Sequence, residues 1–276
     1  MDEKSILPEQ VAPAETGMSE ESGLRDLAIN LERVQARIAA AAQRVGRSPQ
    51  EVILVAVTKT QPLAAAQAAY RLGVRHFGEN RVEEGIPKIN ALAESLGAIA
   101  NPDERPVWHM IGHIQHRKTA QALHFDVIHS LDSLRLAERL EARAAALGRV
   151  IPVLLECNVS GEISKYGFLL ADWQRDGEVR AEFVQTVRTI SRFPHLKLQG
   201  LMTMAPIVPE AELARPVFTS LRALRDLLRQ ELPDIDWQHL SMGMTDDFEV
   251  AIEEGATMVR IGRAIFGERW QGDEEG

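Results

Sequence analysis

Residues 52–62 read VILVAVTKTQP, an unbroken aliphatic run that stops at Thr58 and Lys59 and meets a turn signal at Gln61-Pro62. A short apolar run without alternation reads as a strand buried on both faces, as in parallel sheets. Lys59 then stands where the strand gives way to a loop. An amine in that position forms a Schiff base with a carbonyl ligand, provided its neighbours lower its pKa and a phosphate site holds the ligand. The alternative is a solvated surface lysine.

Seven further β-type runs follow: Arg75 to Phe77, Val107 to Ile111, Val127 to His129, Pro152 to Asn158, Leu196 to Leu201, Asp236 to Leu240 and Met258 to Ile261. Helical patterns lie between them, among them Leu63 to Leu72, Ser133 to Leu147, Glu182 to Arg192, Pro209 to Leu232 and Asp246 to Glu254. Alternating strands and helices predict parallel neighbours joined by right-handed crossovers. Eight units of roughly 26 residues each suit an α/β fold, a single (β/α)8 TIM barrel. An open doubly wound sheet is the competitor. It calls for a GxGxxG turn after the first strand, and VAVTKTQP has none.

Ahead of the barrel, Leu24, Leu27, Leu31, Val34, Ile38, Ala41 and Val45 recur at three- and four-residue spacing, which predicts an extra N-terminal helix ended by Gly46. Residues 1–22 read as a flexible tail, 23–270 as one domain and 271–276 as a C-terminal tail.

The 276 residues are 45% apolar, ample for a large core, and carry 31 Lys and Arg against 40 Asp and Glu. A net charge of -9 gives no global field for nucleic acid or an anionic bilayer, so any anion site is local. The lone cysteine, Cys157, reads as a small buried residue in a reducing compartment. With no basic leader and no apolar run of about 20 residues, the chain is expected to be cytoplasmic, with no membrane contact.

In such a barrel, chemistry sits on the loops after the strands. SMGMTDDFEVAIEEG, from Ser241, reads as strand end, glycine loop and helix, with Thr245 or Asp246 as N-cap. IGRAIFG places Gly262 at a close turn before a short helix. Gly243 and Gly262 are either ordinary turn glycines or parts of a phosphate cradle, and the loops after strands seven and eight are the usual phosphate position. Ser241 adds a hydroxyl. Arg260, inside the eighth run, either pairs with a strand carboxylate such as Glu79 or Glu156 or faces the ligand. Asn80, in the GEN segment, is a ligand contact or a turn residue. His109, His113 and His116 lack a completing carboxylate and lie beside Arg117 and Lys118, so no metal site is expected, and His109 reads as a hydrogen-bonded core residue. Lys165 is a second cation at the mouth or a surface charge, and Met202 and Met204 line the core or pocket.

The segments VAVTKTQP, FGENRVEE, WHMIGHIQHRK, NVSGEISKYGF, GLMTMAP and LSMGMTDDFEVAIEEGATMVRIGRAIFG, in this order over residues 30–269, resemble the YggS/PROSC pyridoxal-phosphate homeostasis family. The fold of that family is similar to the N-terminal barrel of alanine racemase. The resemblance implies pyridoxal phosphate held as a Schiff base on Lys59, with Arg260 at the pyridine nitrogen and Asn80 near the ring. It also implies Ser241, Gly243, Gly262 and Arg263 around the phosphate. An arginine at the ring nitrogen keeps that nitrogen unprotonated and weakens the electron sink. Two positions depart from the family pattern: Arg117 stands where asparagine is frequent, and Arg263 where Thr or Ser is frequent, leaving its backbone N–H as the expected phosphate contact.

The resemblance further implies cofactor holding and delivery to pyridoxal-phosphate-dependent apoenzymes, affecting amino-acid and keto-acid balance, without an established catalytic turnover; the chain is expected to be a monomer and not an enzyme, with no catalytic residues. A two-base racemase needs a second base opposite the lysine, for which Tyr166 is the one candidate. A racemase-type enzyme and a phosphosugar aldolase using Lys59 are the competing readings.

Overall fold

The computed structural model describes residues 16–99 and 101–267. Residues 1–15 of the expected N-terminal tail, and the whole expected C-terminal tail, lie outside the described residues. The strands are β1 (Ile53–Val57), β2 (His76–Glu79), β3 (Val107–Met110), β4 (Val127–Leu131), β5 (Ile151–Asn158), β6 (Phe168–Leu169), β7 (Leu196–Met202), β8 (His239–Ser241) and β9 (Met258–Ile261). The helices are α1 (Thr16–Arg44), α2 (Leu63–Arg71), α3 (Val82–Leu96), α4 (Thr119–Ala122), α5 (Leu134–Ala146), α6 (Gly177–Ile190), α7 (Arg215–Glu231), α8 (Phe248–Glu253) and α9 (Arg263–Phe266).

The strand order runs β4-β3-β2-β1-β9-β8-β7-β5, all parallel, and a β4–β5 pairing closes the ring. Eight strands with helices outside make the expected (β/α)8 barrel. The two-residue β6 stands outside the ring and pairs Phe168 with Cys157, folding the fifth loop back on its own strand.

Apolar side chains fill two places. One face of each strand, including Ala56, Phe77, Ile128, Leu155, Leu201 and Ile261, packs under the helices in the main core, with Cys157 buried among them. A separate small cluster of Val55, Leu154, Met202 and Met258, with Ile53 and Met204 against it, lies on the other strand face, inside the barrel. Helix faces follow the 3.6-residue period: α7 buries Phe218, Leu221, Leu224 and Leu228. Ser133 caps α5 by accepting the Leu136 N–H at 3.2 Å.

In α1 the buried stripe runs from Leu27 to Ala42, while Leu24 and Val45 are exposed. The helix starts at Thr16, inside the stretch read as a tail and ahead of the Leu24 onset, and ends before Gly46 at φ +70°. The sequence pattern does not announce α3, because Gly85 and Pro87 lower its helix propensity. Gly85 is needed there, since a Cβ would come within 2.5 Å of the Phe125 ring. Among the described residues no helix is long and apolar enough to cross a membrane.

Candidate functional site

Lys59 stands two residues beyond the end of β1 and is half-buried. The backbone on both sides of it is fastened from α3. The buried Lys88 ammonium donates to the Thr58 carbonyl at 2.6 Å, to Glu79 at 2.9 Å and to Glu84 at 2.8 Å. Thr58 Oγ1 adds a 2.6 Å bond to Glu79. Beyond the lysine, the Thr60 N–H donates to the Glu84 carboxylate, and Thr60 sits at φ +62°, a strained conformation for a β-branched residue. Burial pushes the Glu79 carboxyl up, against the bonds from Lys88 and Thr58. Glu79 is thereby corrected as a partner for Arg260: it lies in this clamp. The clamp has no sequence signal beyond the Glu84-to-Lys88 spacing of four residues on α3.

Arg260 is 5% exposed. Its Nη1 donates to Ser241 Oγ at 2.6 Å and its Nη2 to the Thr203 carbonyl at 2.8 Å. Because Thr203 follows β7, the side chain crosses the interior past β8. Desolvation lowers the guanidinium pKa to about 10, with Asp247 and Glu156 opposing, so it stays charged at neutral pH. Glu156, 3% exposed, is the nearby carboxyl; burial and then Asp132 raise it to about 7, against the pull of Arg260. Its Oε2 has no hydrogen-bond partner.

The last two loops meet through the backbone. The Arg260 N–H donates to the Gly243 carbonyl at 3.0 Å. Gly243 lies at φ +94°, where a Cβ would come within 2.9 Å of the Phe248 Cα. A Cβ on Gly262 would lie 3.2 Å from the Val57 carbonyl, so this loop rests on the strand that carries Lys59. The cap position of α8 is Asp247, not Thr245 or Asp246 as read from sequence. Its carboxylate turns back to the Met244 N–H at 2.6 Å, which closes the loop before the helix can start at Thr245. Arg263 Nη2 holds Asp246 at 2.6 Å, tying loop eight to loop nine at the surface.

Lys59, Asn80, Ser241, Gly243, Arg260, Gly262 and Arg263 therefore belong to the C-terminal ends of four neighbouring strands, β2-β1-β9-β8. Opposite them, Lys165 reaches from the fifth loop to the Met204 carbonyl at 3.0 Å and pairs with Glu162, so it is tied down and not a loose surface charge. Tyr166, 54% exposed, stacks on His113 with ring centres 3.7 Å apart, and His113 bonds Asp132 at 3.0 Å. His109 is buried and hydrogen-bonded to His76 and His129, as a core residue.

The family described as "Alanine racemase, N-terminal domain" matches residues 29–269. A protein of Vibrio alginolyticus named pyridoxal phosphate homeostasis protein is 40% identical over 241 residues, covering 87% of this chain and 96% of the relative. One of the same name from Escherichia coli (strain K12) is 41% identical over 249 residues, covering 89% and 98%. The solved structure of PipY from Synechococcus elongatus PCC7942 with PLP bound superposes with a TM-score of 0.69 at 34% identity, covering 85% of this chain and 100% of that one. With two thirds and more of each relative spanned at this identity, the chain belongs to the family of pyridoxal phosphate homeostasis proteins, built on the alanine racemase N-terminal barrel.

Proposed function

We propose that this chain binds pyridoxal phosphate, with Lys59 as its covalent anchor through a Schiff base, and takes part in pyridoxal phosphate homeostasis by holding the cofactor for delivery to apoenzymes. The observation that carries this reading is the gathering of Lys59, Arg260, Ser241 and the Gly243 and Gly262 loops on three adjacent strands, β1-β9-β8. The names of the relatives, and the PLP-bound PipY structure, agree with it.

The residues present fit that ligand. Lys59 is half-buried on a backbone fixed at both flanks. Gly243 and Gly262 let the last two loops pack closely on Phe248 and Val57, where a side chain would collide, and so bring their backbones to the end of the barrel where phosphate groups are held. When bound, pyridoxal phosphate supplies an aldehyde for the lysine and a ring that draws electrons. The chain's own contribution is to orient and to restrain. Arg260, charged and anchored on Ser241 and Thr203, presents a fixed cation that opposes protonation of a pyridine nitrogen near it. Asn80, Ser241 and the Arg263 backbone are the remaining proposed contacts.

The test is the absorption spectrum of purified protein with added pyridoxal phosphate, beside Lys59→Ala. Wild type should gain a visible band that the variant lacks. A wild type with no such band would remove the reading. A racemase reading is separable, because it requires solvent deuterium at the α-position of an amino acid above the level given by free cofactor. Tyr166, stacked on His113 at the mouth, is the residue to substitute if exchange is found.

A further inference from the structure

Three histidines outside the proposed contacts stand in line through the barrel. His76, half-buried, opens β2 at the N-terminal rim. Its Nδ1 is 2.9 Å from His109 Nε2; His109 Nδ1 is 2.8 Å from His129 Nε2; His129 Nδ1 is 2.9 Å from Ser241 Oγ. The line climbs the barrel, since His109 is level with Gly78, two residues beyond His76, and Ile128 with Met110, one beyond His109. Strands β4 and β8 are not neighbours, so the last bond crosses the interior. At its top, Ser241 also receives Arg260 Nη1 at 2.6 Å.

A neutral imidazole has one N–H and one lone pair, and each ring-to-ring contact needs one of each. Only two proton arrangements then satisfy every contact. In the first, Ser241 donates to His129, whose Nε2–H donates to His109, whose Nε2–H donates to His76. In the second, every bond reverses: His76 Nδ1–H donates to His109, His109 Nδ1–H to His129, and His129 Nδ1–H to Ser241. The serine hydroxyl, accepting from Arg260 and His129, is then left with a proton to donate elsewhere. Mixed arrangements set two protons or two lone pairs face to face. A protonated His76 has an N–H on both nitrogens, so it permits only the second arrangement.

We propose that His76, His109 and His129 form a proton-ordered column in which protonation of His76 at the N-terminal rim turns the Ser241 hydroxyl into a donor at the ligand end. His109 and His129 are positioning residues in this scheme, acting through Ser241. Burial holds both inner rings well below the usual histidine pKa, which keeps them neutral as the column requires. The groups facing the column from other strands are His239 on β8, itself near Asp236, and Arg260 on β9. From β1, β5 and β7, Val55, Leu154 and Met202 share this face, and with them the Glu156 carboxyl of β5, level with Met202, which like Asp247 acts on Arg260 at the top of the column. A ligand oxygen that accepts from Ser241 favours the second arrangement and so raises proton affinity at His76, because coupling is reciprocal. That last step rests on the reading of Ser241 as a phosphate contact.

The test uses ligand-free protein labelled with 15N in histidine, with ring tautomers followed from pH 8 to pH 5. His129 should move from protonated Nε2 to protonated Nδ1 with the midpoint of His76, and in His76→Phe its tautomer should not depend on pH. A His129 tautomer that stays fixed while His76 titrates in wild type, or one that still switches in the variant, overturns the column. Because the wild-type titration needs no variant, a His76→Phe that fails to fold leaves the test intact. A second arm adds inorganic phosphate at pH 7.5. A shift of His129 toward protonated Nδ1 supports the Ser241 contact; no shift, with the pH coupling intact, removes that contact and leaves the column standing.

Discussion

The Lys88 ammonium lies 2.6 Å from the Thr58 carbonyl oxygen, so the residue before Lys59 is held by a side chain of α3. The same ammonium neutralises Glu79, whose side chain is fully buried. Removing one partner of such a pair leaves an uncompensated charge inside the protein. Lys88→Met should therefore cost about 3–5 kcal/mol in urea unfolding and weaken the visible band obtained with pyridoxal phosphate. The double variant Lys88→Met/Glu79→Gln should regain part of the lost stability. Additive losses in the double-variant cycle would show that the two groups do not act as a pair.

Glu156 gives a prediction with a definite sign. Its carboxyl keeps a proton in the folded chain up to about pH 7, whereas in the unfolded chain it ionises near the ordinary value of about 4.3. Below the lower value both states are protonated and the group costs nothing. Between the two values the folded state alone holds the proton, so stability falls as pH rises, and the full cost persists above the upper value. The stability gained by Glu156→Gln should be larger at pH 8 than at pH 4.5 by on the order of 2–3 kcal/mol. An equal difference at the two pH values would contradict the assignment.

The buried histidines act in the opposite direction. Burial lowers His109 and His129, so below about pH 6.5 the unfolded chain binds protons that the folded chain does not. Each ring then draws the equilibrium toward unfolding by about 1.4 kcal/mol per pH unit, and above that pH the effect vanishes. Both rings should show neutral 15N shifts until the protein unfolds in acid. An imidazolium signature from either ring in the folded protein would count against this.

Gly243→Ala should damage the site at its backbone. The new methyl would meet the Ala251 Cβ at 2.6 Å and the Phe248 Cα at 2.9 Å, from a residue at φ +94°. A loss of about 2–4 kcal/mol in thermal or urea unfolding is expected, together with weaker retention of pyridoxal phosphate. Unchanged retention at full stability would show that this loop takes no part in holding the ligand.

How much of this was legible in the sequence depended on the length scale of the signal. The run ending at Lys59, the glycines at 243 and 262, and Arg260 inside an apolar strand are local, and each was readable. The barrel followed from the count of such runs. The histidine column is not local: His76, His109 and His129 are separated by 33 and 20 residues and meet only through strand register. Lys88 carries no sequence signal because Gly85 and Pro87 mask its helix, and Thr203 carries none because it contributes a carbonyl, which no side chain announces. The tight turn at Asp247 reassigned a cap for a related reason, since several acidic residues in a row leave the choice to backbone geometry.

The first helix joins the end of the chain. Arg37 holds Glu249, Arg44 holds Glu253, and the Asn30 amide reaches the Ile265 carbonyl across 235 residues. These bonds attach α1 to α8 and α9, the helices that follow the Gly243 and Gly262 loops. A ribosome makes α1 well before α8 and α9, so α1 is without this partner surface while the strands between them are made. The two loops are braced from outside only after the final strand has closed the ring. A nascent chain can thus complete most of its sheet before these loops are braced, and in the proposed function cofactor capture is a late event that reports a finished fold.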